Sequence, residues 1–147
     1  MIVRTPSNAA LLKPETLPRH ARGGGASTTP LVTRAVGSTS FITGYTSFTG
    51  GAEIAFHSHD CEESVVLMEG RAALEIDGLT YELKPHEAIF IPAGIVHRFR
   101  NLSKSEPMKI LWIYASAEAT RTLAATGLSH PVAAEHGEPR GPGGNMP

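Results

Sequence analysis

Three histidines and one glutamate are the residues of this sequence best suited to form a functional site together. His57 and His59 are separated by one residue, and on a β-strand two such residues point to the same face of the sheet, so their imidazoles can converge. Glu63 follows past a short bend, whereas His97 lies on a distant segment that only the fold can bring near the others. Neutral imidazoles with a carboxylate suit one divalent transition metal: Fe, Mn, Ni, Co, Cu or Zn.

The choice of the carboxylate depends on where its strand begins. The spacing favours Glu63, but a strand that begins one residue earlier would turn Glu62 toward the histidines instead. A carboxylate in an apolar interior is costly to bury, and a bound cation removes most of that cost. The alternative is that these residues are ordinary polar side chains with no metal to hold.

The four residues fall within two longer motifs. The first has the spacing Gly-x5-His-x-His-x3-Glu-x6-Gly, from Gly51 to Gly70, and the second has the spacing Pro-x-Gly-x2-His-x3-Asn, from Pro92 to Asn101. This pattern resembles the small, single-domain members of the cupin superfamily over about residues 40–115. The resemblance implies a jelly-roll barrel of six to eight strands, with the metal bound by the three histidines and the glutamate.

One position departs from the cupin pattern. The second motif usually opens with a glycine, and here His86 stands at that position, followed by Glu87. Glycine there allows a turn with positive φ, which histidine tolerates less well. We expect an altered turn and an intact site, since the departure touches no ligand.

The pattern of elements predicts an all-β protein, an antiparallel jelly-roll barrel with one short C-terminal helix. Asp77-Gly78 is typical of a two-residue hairpin turn. The helix is predicted over 117–126, with Ser116 as its cap and Gly127 just past its end. Short runs rich in β-branched and aromatic residues predict the strands, near 31–36, 40–48, 52–58, 63–68, 71–76, 80–84, 88–91, 95–101 and 107–115.

Composition divides the chain into three parts. Residues 1–30 are rich in proline and glycine and are expected to form an extended N-terminal arm without its own core, which could include one short strand. Residues 31–127 form the predicted barrel. Residues 128–147 are expected to be a flexible C-terminal tail, since the apolar content falls away.

Alternation along the strands identifies candidate pocket residues. Phe99 and Asn101 share the face of His97. Trp112 and Tyr114 share one face of their strand while Leu111 and Ile113 take the other, and the sequence leaves open which pair points inward. Arg71 could hold a substrate carboxylate, although an exposed strand-end arginine is the simpler interpretation. Cys61 is expected to be inert, and the remaining histidines are expected to be solvated: His20, His86, His130 and His136.

The composition of the chain limits the classes of partner that we expect the protein to bind. The formal net charge of −1 and the lack of a basic stripe argue against nucleic acid as a partner. No run of about 18 apolar residues suggests a membrane span. The single cysteine fits a reducing compartment, so we expect a cytoplasmic protein. We further expect a small-molecule ligand or substrate, and a homodimer in which the arm lies across the partner barrel.

The expected function is that of a metal-dependent enzyme acting on a small organic substrate. An open coordination position within an apolar surround favours a dioxygenase-like reaction, by analogy within the superfamily. Two alternatives remain: a non-redox Lewis-acid lyase, isomerase or decarboxylase, and a non-enzymatic barrel that serves as a sensor or storage module. The apolar surround is expected from Phe90, Ile91, Phe99, Leu111 and Trp112.

Overall fold

The computed structural model describes residues 2–136, which form fourteen β-strands and three short 3-10 turns. The 3-10 turns are Pro14–Thr16, Arg34–Val36 and Val132–His136. The strands are β1 Ile2–Arg4, β2 Ala10–Leu12, β3 His20–Gly23, β4 Ala26–Pro30, β5 Ile42–Phe48, β6 His57–His59, β7 Glu63–Glu69, β8 Ala72–Ile76, β9 Leu79–Leu83, β10 Ala88–Ile91, β11 His97–Asn101, β12 Met108–Tyr114, β13 Thr120–Leu123 and β14 Ser129–Pro131.

Two six-stranded antiparallel sheets contain all of these strands except β1 and β2, which pair with each other. The strand order is β10-β7-β12-β5-β4-β3 in the first sheet and β14-β13-β6-β11-β8-β9 in the second. Between β5 and β13 the chain passes repeatedly from one sheet to the other, and only β8 and β9 are consecutive within one sheet. This is the jelly-roll arrangement that the sequence predicts.

The core lies between the two sheets and follows the period of two along each strand. In β12, the side chains of Met108, Ile110, Trp112 and Tyr114 are buried, and the residues between them are partly exposed. This alternation answers the question left open by the sequence, because Trp112 and Tyr114 are the pair that points inward. The Trp112 indole N–H donates to Thr46 Oγ1 at 3.0 Å, so its polar group is satisfied inside the core.

Most of the strands predicted between 31 and 115 are present, and two segments differ. The predicted strand at 31–36 is wrong, because the chain there forms the 3-10 turn Arg34–Val36, capped by the Thr33 hydroxyl. In the predicted strand 52–58, the first residues make a single bridge, from Glu53 to Arg100, and the regular strand begins only at β6.

The predicted helix over 117–126 is also wrong. Thr120–Leu123 forms strand β13, which pairs with β6 on one side and β14 on the other. Ser116 accepts a hydrogen bond from the backbone N–H of Glu118, but this closes a turn and not a helix. Gly127 has a φ of 72° and lies in the turn between β13 and β14.

The ends of the described chain take part in the sheets. Strand β4 pairs with β5 along its whole length, and β3 forms the outer strand beside it, so the second half of the segment 1–30 extends the first sheet. Strand β14 and the turn Val132–His136 occupy the first part of the predicted tail. The rest of that prediction, residues 137–147, lies outside the described residues.

The backbone conformation of two turns explains the residue types required at two positions of the motifs. Gly70 has a φ of 87°, and a Cβ there would lie 2.5 Å from the Pro107 carbonyl oxygen, so the first motif ends on a residue that only glycine fits. His86 has a φ of 74°, so it adopts the left-handed conformation that glycine usually supplies at that position. Over residues 2–136, no helix is both long and apolar enough to cross a membrane.

Candidate metal centre

Three strands from both sheets bring the motif histidines and the glutamate together. His57 and His59 are the ends of β6, and His97 begins β11, where it is the register partner of His57. Glu63 begins β7 in the opposite sheet, where it pairs with Tyr114. The period of two turns all four side chains into the space between the sheets.

The four side chains form one buried cluster. The three histidines each offer a ring nitrogen, and these atoms lie within 4.8 Å of one another. Oε1 of Glu63 lies 3.1 Å from Nε2 of His97 and 3.7 Å from Nε2 of His59. The exposed fraction is 1% for His57, 4% for His59, 4% for Glu63 and 0% for His97. Glu62 is exposed, so Glu63 is the carboxylate that reaches the cluster.

Backbone carbonyls fix the orientation of each imidazole. Nδ1 of His57 donates to the Ala55 carbonyl oxygen at 2.7 Å, and Nδ1 of His97 donates to that of Ile95 at 2.9 Å. Nδ1 of His59 donates to the Thr120 carbonyl oxygen at 2.9 Å. With Nδ1 carrying the hydrogen, each Nε2 presents a lone pair, which is the form that binds metal ions.

The atoms that face one another in the cluster lack hydrogen-bond partners. Among the described residues, Nε2 of His59, Nε2 of His97 and Oε1 of Glu63 are buried and make no hydrogen bond. These are lone pairs directed at one another over 3.1 to 3.7 Å, which is unfavourable unless a positive charge lies among them. A divalent cation bound by these atoms removes that cost, so the donor set fits the transition metal expected from the motifs.

The electrostatics keep the imidazoles ready to bind. Burial lowers the pKa of His57 well below its usual range, and the nearby Arg121 guanidinium lowers it further. Burial also lowers the pKa of His59 to about 4, although the Glu63 carboxylate opposes the shift. Both rings are therefore neutral at pH 7 and need lose no proton to a metal. Burial raises the pKa of the Cys61 thiol to about 11, so this cysteine is an inert neighbour.

Aromatic side chains surround the cluster on the inner side. The Phe99 ring meets the His97 ring edge-on, with 6.0 Å between centroids. The Tyr114 ring lies 4.4 Å from the His59 ring, and Trp112 stacks on Tyr114 at 5.0 Å. The structure thus places these three candidate pocket residues beside the cluster or one ring away from it.

Other candidates lie elsewhere. Asn101 is buried at the far end of β11, where it binds backbone groups and does not contact the cluster. The Arg71 side chain is 60% exposed and pairs with Glu82, outside the barrel. Phe90 is exposed, so it does not belong to the apolar surround of the site.

Sequence reasoning missed a second buried cluster near the first. Nε of Arg121 lies 2.5 Å from Oε2 of Glu135, which also accepts a hydrogen bond from Nε2 of His130 at 2.7 Å. Nη1 of Arg22 lies 3.4 Å from Oε1 of the same carboxylate. The expectation that His130 and His136 are solvated is wrong, because His130 is partly buried in this network and His136 is buried against Trp112.

One signal could have located part of this cluster. Thr120 and Thr122 flank Arg121 with a period of two, which is typical of a strand and would have turned the arginine inward beside β6. Glu135 and His136 lie in a stretch whose composition gives no such signal.

Comparison with known proteins identifies the family. The cupin-domain family profile matches residues 44–114, which include both motifs and all four cluster residues. The jelly roll and the cluster of three histidines and one glutamate between its sheets agree with what the resemblance implies. Residues 44–114 therefore form a small cupin domain.

Two bacterial proteins share sequence with the chain. It is 37% identical to polyketide synthase CurC of Streptomyces cyaneus over 92 residues, which are 60% of this chain and 58% of CurC. The aligned region thus spans little more than half of that relative. The chain is also 28% identical to protein SchB of Streptomyces halstedii over 103 residues, covering 69% of this chain and 75% of SchB.

Solved structures share the fold at lower identity. The polyketide cyclase RemF from Streptomyces resistomycificus matches with a TM-score of 0.67 and 21% identity, covering 83% of this chain and 84% of RemF. An RmlC-like cupin from Shewanella frigidimarina matches with a TM-score of 0.63 and 18% identity, covering 72% of this chain and 89% of the other. These likenesses establish the jelly-roll fold alone.

Proposed function

We propose that this protein is a metal-dependent enzyme that acts on a small carbonyl compound of the polyketide type. The metal is a divalent transition ion held by His57, His59, Glu63 and His97. The observation that carries the proposal is the convergence of buried, unpartnered lone pairs from three strands. Such an arrangement is unstable without a cation and typical of a protein built to hold one.

The substrate class comes from the relative with the highest identity named above. CurC is a polyketide synthase by name, and its alignment with this chain covers 92 residues at 37% identity. Polyketides carry ketone and enol oxygens at regular intervals, and these are hard donors that a divalent metal polarises. The aromatic lining of Phe99, Trp112 and Tyr114 offers flat surfaces to a ring or to an extended conjugated chain.

The residues of the chain have separate roles in the proposed reaction. When bound, the metal supplies Lewis-acid polarisation of a carbonyl oxygen, which favours enolisation and ring closure. The carbonyls of Ala55, Thr120 and Ile95 hold the three imidazoles in the metal-binding tautomer. The Tyr114 phenol, protonated at neutral pH, lies beside His59 and can donate a hydrogen bond to a second substrate oxygen.

A dioxygenase-like reaction is the second candidate. The buried apolar side chains around the centre, Ile91 and Phe99 among them, favour it because they exclude water from the place where oxygen would react. A barrel that binds metal or ligand without turnover is the third interpretation. The three differ in what is consumed, so one assay can separate them.

The test is an assay of product and of oxygen together. Protein loaded in turn with Fe(II), Mn(II), Ni(II), Co(II), Cu(II) and Zn(II) is mixed with a linear 1,3,5-triketone that can close to an aromatic ring. Cyclised product without oxygen uptake supports the proposal, whereas oxygen uptake that matches product formation supports the dioxygenase. If no metal gives either cyclised product or oxygen uptake, the proposal of an enzyme acting on this substrate class is refuted. His59→Ala should abolish turnover, while the matched control His86→Asn, at an exposed position, should retain it.

We also propose that the protein is a homodimer. The hairpin of β1 and β2 exposes the apolar residues Ile2, Val3 and Leu11, and among the strands of residues 2–136 none lies beside the outer edge of β3 in the first sheet. A second copy that packs on the hairpin would cover them. Light scattering should give twice the chain mass of 15.6 kDa, and Leu11→Asp should shift the population to monomer. A monomeric wild type at micromolar concentration contradicts the proposal.

A further inference from the structure

The turn Val132–His136 ends inside the barrel, next to the candidate metal centre. It packs against β3 and β4 of the first sheet and β14 of the second, so it bridges the open side between the two sheets. Of its last two residues, His136 is buried against Trp112, and the Glu135 side chain is 8% exposed in its ion pairs. Nε2 of His59, Nε2 of His97 and Oε1 of Glu63 are sealed from solvent, so a substrate must displace part of the protein to reach them.

The His136 ring occupies the face of an aromatic stack. It lies nearly parallel to the Trp112 indole, with 5.4 Å between centroids and 17° between planes. Trp112 in turn stacks on Tyr114, whose ring contacts His59. A planar ring in place of this imidazole would therefore continue a stack that leads to the metal centre.

The Glu135 carboxylate occupies a strongly basic site. Arg121 and His130 bind its Oε2, and Arg22 lies near its Oε1. Arg121 is 4% exposed and Glu135 is its one carboxylate partner among the ion pairs of the described residues. Two guanidiniums, that of the buried Arg121 and that of the partly buried Arg22, lie against a single carboxylate and leave an excess of positive charge, which selects an anion.

This basic site borders both the metal centre and the surface. Arg121 is the register partner of His59, so its backbone lies beside the centre. A surface groove of about 450 Å³ is lined in part by Arg22, Arg121, His130 and Glu135. That volume is within the range of ligand pockets in proteins, about 300 to 1,000 Å³. The groove gives a bound molecule a route inward at Glu135.

Two features of the turn favour its displacement from the barrel. Both ring nitrogens of His136 are buried without a hydrogen-bond partner among the described residues, and water would satisfy them if the ring moved out. The segment is a single 3-10 turn, and Glu135 makes its side-chain ion pairs, so an anion that replaces this carboxylate removes them and leaves the Val132 N–H bond to the Ala119 carbonyl oxygen and the apolar packing of Val132.

We propose that Glu135 and His136 occupy the place of the ligand, and that the barrel binds a planar aromatic carboxylate by displacing them. The ligand's ring stacks on Trp112 where His136 now lies, and its carboxylate binds Arg22 and Arg121 where Glu135 now lies. This inference names the ligand class of the proposed enzyme and the contact that inhibits its binding, so it rests on the proposed function. It involves no metal ligand directly.

The test measures binding to metal-free full-length protein in EDTA, so that the fate of the metal proposal does not affect it. The probe is 2-naphthoate, and 2-naphthamide is its uncharged match. Trp112 is the single tryptophan of the chain, so its indole N–H gives one signal in a 1H–15N spectrum that reports stacking directly. Dissociation constants come from titrations of this signal, with calorimetry as a second measurement.

Two variants release the two contacts separately. His136→Ala frees the Trp112 face and leaves the Glu135 ion pairs intact, and Glu135→Gln removes the competing charge. Each should bind 2-naphthoate at least tenfold more tightly than wild type, with a shifted indole signal, and should bind 2-naphthamide no better. In the His136→Ala background, Arg22→Gln should weaken 2-naphthoate binding tenfold or more. Glu82→Gln, which breaks the exposed pair with Arg71, is the matched control and should bind as wild type does.

Stability gives a readout if Glu135→Gln folds poorly. Because this variant leaves Arg121 buried without its partner, 2-naphthoate should raise its melting temperature more than it raises that of wild type, and 2-naphthamide should not. The proposal is overturned if His136→Ala binds neither probe, if it binds both equally, or if the indole signal stays in place on binding. In those cases the turn has a structural role only and does not occupy the place of a ligand.

Discussion

Asn101 offers a sharp test of how the second motif works, because the structure assigns it to the framework and not to the pocket. Its side-chain Nδ2 donates to the carbonyl oxygens of Thr49 at 3.0 Å and Glu106 at 2.8 Å, and Oδ1 accepts from the Ser103 N–H at 3.0 Å. Asn101 thereby ties the loop after β11 to the end of β5. Replacing it with alanine removes all three hydrogen bonds in a buried setting.

The magnitude follows from these contacts. Each hydrogen bond contributes about 1 kcal/mol to the free energy of unfolding, so Asn101→Ala should lower it by about 3 kcal/mol. For a chain of this size the melting temperature should fall by about 10 °C. Asn101 lies four residues from His97 on the same strand, or about 13 Å, so metal content should not change.

Urea unfolding followed by the fluorescence of Trp112 measures the first effect, and metal analysis of the same samples measures the second. Arg71→Ala is the control, since this exposed residue should change neither quantity. The reasoning is refuted if Asn101→Ala unfolds within 0.5 kcal/mol of wild type, a margin of about the size expected of surface changes. It is also refuted if the folded variant has lost its metal.

Three further changes test other parts of the fold. Gly44→Ala would place a Cβ 2.2 Å from Cζ2 of Trp112. Urea unfolding should therefore show that the free energy of unfolding falls by about 1–3 kcal/mol, and the tryptophan emission should shift. An unchanged emission would contradict this packing. His86→Gly should raise the free energy of unfolding by up to about 1 kcal/mol, because it relieves the φ of 74°, and a loss would show that the histidine is not strained. Burial lowers the pKa of His136 to about 4, so the unfolded state binds a proton that the folded state does not between pH 6.5 and 4. The metal-free protein should therefore lose about 2 kcal/mol per such histidine from pH 7 to pH 5, and His136→Gln should show a smaller loss than wild type.

The barrel and its centre could be predicted because their signals are local. A period of two places His57 and His59 on one face, and the spacing of the two motifs carries Glu63 and His97 with them. The altered turn expected at His86 is wrong, since the backbone there takes the positive φ that glycine usually provides. In each case a few neighbouring residues determine the conformation.

The C-terminal part could not be predicted because its structure depends on distant partners. Residues 117–126 include good helix formers, but pairing of β13 with β6 and β14 overrides that preference. Arg121 becomes a buried charge only because Glu135, fourteen residues later, returns to it. A lone arginine and a lone glutamate give no sign in the sequence that they will meet.

Metal analysis by mass spectrometry shows whether His57, His59, Glu63 and His97 hold one metal ion. The measurement uses protein purified without added metal or chelator, with His59→Ala and His86→Asn measured in parallel. We expect about one equivalent of a divalent transition metal per chain in wild type and in His86→Asn, and less than a tenth of that in folded His59→Ala. Equal metal content in all three proteins, or a wild type that stays metal-free even after incubation with each candidate ion, would contradict the account.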